Sequence, residues 1–255
     1  MNAIELNGIT KRYNGFVLDN VSFSLPKGAI LGLVGENGAG KSTTIKLIMN
    51  AIQRDSGTIR VLGEDNNTQA FQEVKQDIGI VLDEAYYPEV LTPSQVGAVM
   101  RRTYRRWDDS VYQAHLKLLD IPQKLQFRDF SRGMKMKLAI AVALSHQPKL
   151  LILDEATSGL DPMVRDEILT LFNDFTRDEE HSILLSSHIV SDLEKVCDYI
   201  AFLHKGKLVL CEEKDRLLDE YAIVKTTQSA LDQLPADTVV SSKTYPYGVE
   251  ALVRK

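Results

Sequence analysis

The sequence predicts an α/β fold whose core is a mainly parallel β-sheet. Apolar runs of strand length alternate with amphipathic helical segments near both ends of the chain, as in parallel sheets joined by crossover helices. One of these runs, Ala29 to Val34, leads directly into a glycine-rich segment that precedes a helix. The middle, about residues 86–145, is mostly helical, which predicts a helical lobe inserted into the α/β core.

The N-terminal segment predicts an antiparallel β region ahead of the parallel core. Residues 4–6 and 17–25 alternate apolar and polar side chains, as half-buried strands do. Ala29 to Val34 is continuously apolar, which is typical of a strand buried on both faces. We expect a helix from Lys41 to Asn50 and, after a turn, a strand from Thr58 to Leu62.

The helical lobe contains recognisable helix starts. Thr92 is followed by Pro93 and then by Gln95, which predicts a capping box with proline at the first helical position. Three helices are expected, beginning after caps at Thr92, Asp109 and Ser131 and ending near Trp107, Asp120 and Ser145.

The α/β alternation returns after the lobe. The pattern predicts, in order, the strand Leu150 to Asp154, the helix Val164 to Thr176, the strand Ser182 to Ser186, the helix Ile189 to Val196 and the hairpin strands Tyr199 to His204 and Lys207 to Cys211. We expect residues 1–220 to form one domain, which includes the inserted helical lobe, and residues 221–255 to form a small α/β appendix.

Composition limits the classes of partner. The net charge of −5 lacks the basic balance of a nucleic-acid binder, so no nucleic acid is expected as a partner. The two cysteines, Cys197 and Cys211, have no metal-binding spacing, which fits a reduced, cytoplasmic compartment. No apolar run approaches the ~18 residues of a membrane span, so any membrane role is expected to need another polypeptide.

The clearest motif is the segment that we call the phosphate loop: Gly35, Glu36, Asn37, Gly38, Ala39, Gly40, Lys41 and Ser42. It fits the pattern G-x-x-x-x-G-K-[ST], in which backbone N–H groups and a helix N-terminus surround phosphates. Lys41 is expected to reach the β- and γ-phosphates of ATP, Ser42 to hold Mg²⁺, and Thr43 to adjoin the nucleotide. The fold class is therefore that of a P-loop nucleoside triphosphatase.

A second motif supplies two carboxylates. The apolar strand from Leu150 ends in Asp154 and Glu155, at the carboxyl end where α/β sheets bind ligands. Asp154 is expected to bind Mg²⁺, and Glu155 is expected to polarise the attacking water. Acidic residues also begin ordinary loops, so this segment alone could be a mere strand end.

With these motifs, residues 4–213 resemble the ATP-binding cassette (ABC) family. Residues 130–134 resemble the family's signature segment, which binds the γ-phosphate of ATP held on the other subunit. Ser131 and Gly133 match it, whereas Phe130, Arg132 and Met134 depart from the commonest form. A serine cap and a helix N-terminus together can bind an anion. A plain helix cap is the alternative role for Ser131.

The resemblance implies further site residues. Residues 158–161, ending in Asp161, resemble the family's dimer-contact loop, and His188 resembles the histidine that contacts the γ-phosphate. Tyr13 resembles the aromatic residue that stacks on adenine, with Val17 or Leu18 on the other side of the base. A core tyrosine and an ordinary polar histidine remain the alternatives.

One position departs from the family more sharply. Where the family has a glutamine that touches Mg²⁺ or the attacking water, this chain has Asp83 followed by Glu84. An aspartate can still bind Mg²⁺ through water, but it cannot donate a hydrogen bond when ionised. Asp83 is therefore a candidate metal ligand, with a structural loop residue as the alternative.

Two surface segments could face a partner. Residues 101–106 contain four arginines, which form either a solvated face or a contact with lipid head groups or a membrane partner. Tyr86, Tyr87 and Pro88 are better candidates for a groove that receives the partner, because they supply amphipathic anchors.

The resemblance implies a catalytic subunit of a transporter. It would use ATP and Mg²⁺, with Lys41, Glu155 and His188 as catalytic residues. Its partners would be integral membrane subunits and a second copy of itself or a paralogous ATPase, at the inner face of the cell membrane. The form of the signature segment resembles the branch of drug and antibiotic-peptide exporters. The alternatives are an ABC ATPase acting on ribosomes or nucleic acid, and a nucleotide sensor without turnover.

Overall fold

The structure is a computed structural model that describes residues 1–83, 87–235 and 238–255. Its strands and helices are numbered below in chain order. The chain divides into two compact units, Met1–Cys211 and Glu212–Lys255.

An antiparallel sheet begins the first unit. Its strands are β1 (Asn2–Tyr13), β2 (Phe16–Pro26), β4 (Ser56–Val61) and β5 (Glu64–Asp65), in the order β2-β1-β4-β5. All three neighbouring pairs are antiparallel, which confirms the predicted N-terminal β region. Alternate side chains such as Ile4 and Leu6 are buried because the polar residues between them point to the other face.

The core sheet is mainly parallel, as predicted. Its strands are β3 (Ile30–Val34), β6 (Ile78–Val81), β7 (Leu150–Asp154), β8 (Ser182–Ser187), β9 (Tyr199–His204) and β10 (Lys207–Glu213), in the order β10-β9-β3-β8-β7-β6. The pairs β3–β8, β3–β9, β6–β7 and β7–β8 are parallel. The carboxyl ends of β3, β6, β7 and β8 consequently lie along one edge of the sheet, the edge at which α/β sheets bind ligands.

Helices cover both faces of the core sheet. The apolar side chains of α1 (Lys41–Ile48) share one buried cluster with the antiparallel sheet and with one face of the core strands, and α2 (Phe71–Val74) adds Phe71 to it. On the opposite face, α6 (Pro162–Phe175) and α7 (Val190–Val196) bury residues such as Phe172 and Leu193 against β7 and β8. This double cover explains why the core strands are almost continuously apolar.

The helical lobe has its own small core. Its helices are α3 (Pro93–Thr103), α4 (Asp109–Leu118) and α5 (Arg132–Leu144). They enclose a buried cluster that includes Val96, Tyr112, Leu116, Phe127 and Leu138. Within the described residues, no helix is both long and apolar enough to cross a bilayer.

The helix starts of the lobe follow the sequence, with two differences. The capping box between Thr92 and Gln95 is present, and Ser131 caps α5 as expected. The cap of α4 is Asp108 and not Asp109, because the Asp108 carboxylate accepts hydrogen bonds from the backbone N–H groups of Ser110 and Val111. α3 ends at Thr103 and not near Trp107, because Tyr104 turns into an extended conformation and stacks on His146.

Three arginines of the basic run, residues 101–106, which begins on α3 and continues past its end, pair with carboxylates of the same chain. Arg101 pairs with Asp109, Arg105 with Glu73 and Arg106 with Asp77. The last two contacts tie the end of α3 to the segment that precedes β6. Exposed ion pairs of this kind contribute little each, and they satisfy these charges within the chain.

The second unit is a small α/β unit with a separate core. It contains α8 (Lys214–Glu220), β11 (Tyr221–Thr226), α9 (Gln228–Leu231), β12 (Val239–Tyr245) and β13 (Gly248–Arg254), with the sheet order β11-β13-β12. Leu231 packs on Val249, Ala251 and Val253. This unit begins at Glu212, and its first helix, α8, packs against β11.

Candidate functional site

The phosphate loop joins β3 to α1 in the predicted strand–loop–helix context. Gly40 immediately precedes α1 with a left-handed φ of 113°, a conformation that other residues rarely adopt. A Cβ atom at Gly40 would lie 2.9 Å from the Leu18 Cδ1 atom, so there is no room for a side chain. The loop therefore depends on glycine at this position both for its backbone shape and for its packing on β2.

The remaining predicted residues of the loop surround the start of α1. Glu36 and Asn37 are exposed, whereas Ala39 is buried and its backbone N–H donates to the Glu36 carbonyl. Ser42 is exposed and Thr43 is half-buried in the first turn of α1. Free N–H groups at a helix start favour bound anions, which fits a phosphate here.

Lys41 connects the phosphate loop to the end of β7. Its side chain is only 5% exposed, and its ammonium donates a hydrogen bond of 2.7 Å to the Gly35 carbonyl. The Lys41 Nζ atom also lies 3.0 Å from the Glu155 Oε1 atom. The two motifs that the sequence placed more than a hundred residues apart are thus in direct contact.

Glu155 is held by contacts on both sides. Its second carboxylate oxygen accepts a hydrogen bond of 2.7 Å from His188 Nδ1, opposite the contact with Lys41. Its backbone N–H donates to the Ser186 carbonyl and hydroxyl oxygens. Glu155 also has a left-handed φ of 52°, a conformation that costs a non-glycine residue about 1–3 kcal/mol. The surrounding contacts therefore fix one orientation of this carboxylate.

Asp154 lies next to Glu155 but in a different environment. Its carboxylate is buried, and one oxygen accepts a hydrogen bond from the Ser186 hydroxyl. Sequence reasoning missed Ser186 as a site residue. The available signal was its place at the end of β8, two residues before His188.

The oxygen groups near the phosphate loop fit a magnesium ion. Ser42 offers a hydroxyl and Asp154 a carboxylate, the hard oxygen ligands that Mg²⁺ prefers. The described residues contain no group of three or more His, Cys, Asp or Glu side chains placed to hold a metal. Mg²⁺ usually binds nucleotide enzymes through one or two side chains, with phosphates and water completing its shell, so two protein ligands are enough.

An aromatic pair lies beside the phosphate loop. Tyr13, at the end of β1, is 45% exposed, which rules out the core role and leaves its ring available to a base. Its ring centroid is 6.5 Å from that of Phe16. Phe16 in turn packs on the phosphate loop, because a Cβ atom at Gly40 would lie only 3.1 Å from the Phe16 Cζ atom. Phe16 is a second residue that sequence reasoning missed. Of the pair proposed to face the base, Leu18 is fully buried and Val17 is exposed, which leaves Val17 as the candidate.

The remaining predicted nucleotide residues form a second group. Ser131 caps α5 by accepting a hydrogen bond from the Met134 N–H, and Gly133 lies in the first turn of that helix. Asp161 caps α6 in the same way, with the Val164 N–H as donor. Ser131 and Asp161 therefore both act as helix caps.

The two caps lie on one open cavity of about 780 Å³. Its lining also includes Arg132, Gly133 and Gly159. The described residues that line this cavity do not include Lys41, Asp154 or Glu155. The chain thus presents two separate groups: one around Lys41 and Glu155, and one around Ser131 and Asp161.

Asp83 follows β6 and contacts the second group. Its Oδ1 atom accepts a hydrogen bond of 2.9 Å from Arg132 Nη2. Glu84 and Tyr86, also singled out from the sequence, lie outside the described residues. Tyr87 packs edge-on against Phe127 in the lobe core, and burial raises the pKa of its phenol. Pro88 is exposed.

Fold and site together define a class of protein. A parallel sheet carries a glycine loop with its lysine after one strand, a buried aspartate and a paired glutamate after a second, and a histidine after a third. These groups suit the binding of a nucleoside triphosphate with Mg²⁺ and the activation of water. The protein is therefore a P-loop nucleoside triphosphatase.

Comparisons with known proteins identify the family within this class. Residues 18–158 match the family model described as ABC transporter. The chain is 34% identical over 219 residues to the ABC transporter ATP-binding protein YtrB of Bacillus subtilis (strain 168), covering 86% of this chain and 74% of that protein. It is 33% identical over 214 residues to the lantibiotic transport ATP-binding protein SrtF of Streptococcus pyogenes, covering 83% and 91%.

The fold also matches a solved structure, a dimeric post-hydrolysis state of the ATP-binding cassette MJ0796 bound to ADP and phosphate. The TM-score is 0.74 at 20% identity, covering 82% of this chain and 98% of that one. The chain belongs to the ABC transporter family, as an ATP-binding subunit with ATPase activity.

Proposed function

We propose that this chain hydrolyses MgATP to power an exporter of antibiotic or other peptides through separate membrane subunits. The proposal of ATP hydrolysis rests on the position of Glu155, whose two carboxylate oxygens contact Lys41 and His188. A carboxylate held beside the phosphate-binding lysine can orient and polarise a water at the γ-phosphate. A nucleotide sensor without turnover would not need this arrangement.

The residues of the chain divide the work of hydrolysis. The Lys41 ammonium contacts the Gly35 carbonyl and the Glu155 carboxylate. When ATP binds, the ammonium contacts the β- and γ-phosphate oxygens instead, and the Glu155 carboxylate can then accept a hydrogen bond from the attacking water. His188 keeps Glu155 in one orientation, and Tyr13 offers its face to the base. Ser42 and Asp154 would hold Mg²⁺. Asp83, the further candidate from the sequence, instead accepts a hydrogen bond from Arg132 in this structure. When bound, the ion neutralises charge on the phosphates.

The second group of residues favours a site shared between two chains. Ser131, Gly133 and Asp161 belong to a cavity that does not include Lys41 or Glu155. We therefore place them against the nucleotide of a second copy or of a paralogous ATPase subunit, so that two ATP molecules lie between two chains. In a two-fold symmetric pair such an interface is isologous: the first group of each chain meets the second group of the other, so the assembly closes at two chains. The solved structure of the MJ0796 cassette is likewise described as dimeric and bound to ADP and phosphate.

The membrane partner is inferred from the relatives of this chain. SrtF is named as a lantibiotic transport ATP-binding protein, and YtrB as an ABC transporter ATP-binding protein. We therefore assign the chain to the cytoplasmic face of the cell membrane, bound to integral membrane subunits. Action on ribosomes or nucleic acid is the alternative, and the net charge of −5 disfavours it.

The test is to isolate the protein from membranes in mild detergent and to identify what remains bound. We expect a polypeptide with several membrane spans, and we expect ATP hydrolysis by the complex to rise when a lantibiotic peptide is added. A complex carrying Lys41→Ala is the matched control and should show neither basal nor stimulated hydrolysis. Recovery with ribosomes or nucleic acid in place of a membrane protein would contradict the transport function while leaving the ATPase unchanged.

A further inference from the structure

Two charged side chains from distant segments meet beside the cavity. Asp83 follows β6, and Arg132 is the first residue of α5. They are 49 residues apart in the chain, yet Arg132 Nη2 lies 2.9 Å from Asp83 Oδ1. Their side chains are 53% and 54% exposed, so the pair is accessible and its contribution is small.

The position of Arg132 is electrostatically unusual. It is the first residue of α5, where the helix dipole disfavours a cation, and the first turn of α5 contains no acidic residue. The nearby anion is the Asp83 carboxylate, which comes from the loop after β6. A guanidinium beside a serine cap and the N-terminus of a helix can bind an anion. In this chain the bound anion is the Asp83 carboxylate.

Arg132 also lies over the loop that ends in Asp161. Gly159 has a left-handed φ of 68°, and a Cβ atom at this position would come within 2.9 Å of Arg132 Nη1. Arg132, Ser131, Gly133 and Gly159 line the same open cavity of about 780 Å³. The guanidinium therefore occupies the space between the signature segment and the proposed dimer-contact loop.

We propose that Arg132 binds a phosphate oxygen of the nucleotide held by the second copy, and that Asp83 holds this arginine when the second copy is absent. The inference rests on the proposed two-ATP dimer. A guanidinium offers five N–H donors and favours phosphate over a single exposed carboxylate. Dimer closure exchanges the Asp83 contact for a phosphate contact, so Asp83 restrains closure until nucleotide is present.

The expected effect follows from the number of contacts. Each exposed pair changes an equilibrium constant roughly two- to fivefold, and each dimer breaks two of them. Removing the charge of Asp83 should therefore raise the dimerisation constant with MgATP roughly 4- to 25-fold. Removing the charge of Arg132 should lower it, because a phosphate contact is lost.

The test is a double-mutant cycle in a Glu155→Gln background, with sedimentation measured at saturating MgATP. Asp83→Asn should strengthen the dimer, and Arg132→Gln should weaken it. The chain with both substitutions should behave like Arg132→Gln alone, because Asp83 acts only through the arginine. Glu73→Gln removes the partner of Arg105 in a comparably exposed pair and should change nothing.

The outcomes separate this inference from the function on which it rests. If Asp83→Asn strengthens the dimer even without Arg132, then Asp83 only repels phosphate and the inference is overturned. It is equally overturned if Asp83→Asn leaves the dimer unchanged or weaker. A Glu155→Gln parent that stays monomeric would overturn the two-ATP dimer itself, and this inference with it.

Discussion

Glu155 shows how single contacts prepare a residue for catalysis. Its left-handed backbone turns the side chain back from the end of β7 towards Lys41, and His188 holds the far oxygen. Asp154, its neighbour, is instead buried and bonded to Ser186. Two adjacent carboxylates thus have different environments, which suits one of them to the metal and the other to water.

The replacement of Glu155 by glutamine tests this role. Glu155→Gln keeps the size and one oxygen of the side chain but removes the charge that polarises water, so hydrolysis should fall about 10²- to 10⁴-fold. ATP should still bind, and size-exclusion chromatography with MgATP should show a persistent dimer. Lys41→Ala is the control: it should lose affinity for ATP in calorimetry and remain monomeric. A Glu155→Gln protein that never dimerises would contradict the shared site.

At the scale of elements, His146 joins three segments of the first unit. It follows α5, its Nε2–H donates to the Ile78 carbonyl at the start of β6, and its ring stacks at 3.8 Å on Tyr104 after α3. The side chain is buried, and desolvation lowers its pKa below the ordinary value. The lobe is therefore attached to the core sheet through a histidine that must stay neutral.

This burial predicts how stability depends on pH. The unfolded chain protonates His146 near its ordinary pKa of about 6.5, whereas the folded chain does so only at lower pH. Above about pH 6.5 His146 is neutral in both states, and its titration does not reduce the free energy of unfolding. As the pH falls from there towards the lowered pKa of the folded chain, the free energy of unfolding decreases by at most ~1.4 kcal/mol per pH unit. Burial lowers the pKa of His115 in the same direction.

Urea unfolding between about pH 7.5 and about pH 5.5 measures this contribution. His146→Gln keeps a donor for the Ile78 carbonyl but does not titrate, so its stability should fall less steeply with decreasing pH than that of the parent. Because burial also lowers the pKa of His115, the free energy of unfolding of both proteins should still fall somewhat with decreasing pH. Equal slopes in parent and variant would show that His146 is not held neutral by the fold.

At the scale of the whole molecule, the site residues of the chain fall into two groups. Lys41, Asp154, Glu155 and His188 are connected by direct or adjacent contacts, and Ser131, Gly133 and Asp161 by one cavity. If each ATP lies between the first group of one chain and the second group of another, two different defective chains can complement each other.

Mixing experiments test this division. Lys41→Ala damages the first group, and Gly133→Asp adds a charge to the second, where a Cβ meets only ordinary contacts. Each protein alone should be almost inactive, because its own pairing offers no intact site. An equal mixture also allows mixed dimers, in which one ATP lies between two undamaged groups, and it should recover hydrolysis that neither protein shows alone. A mixture of Lys41→Ala with the doubly substituted chain should recover nothing. Mixed dimers without activity would place the whole site in one chain.

The sequence by itself determined the local features of this protein. The phosphate loop, the strand ending in Asp154 and Glu155, and the caps at Thr92 and Ser131 could be predicted because each depends on neighbours within a few residues. The alternation of strands and helices likewise predicted a mainly parallel sheet and an inserted lobe.

Only the tertiary structure decided which distant residues meet. Ser186 reaches Asp154 because β8 and β7 are adjacent in the sheet, and Arg132 reaches Asp83 because the start of α5 lies near the end of β6. The burial of Leu18 and the start of the second unit at Glu212 depend in the same way on packing between elements. Periodicity records which face of an element is apolar, but it does not record which element covers that face.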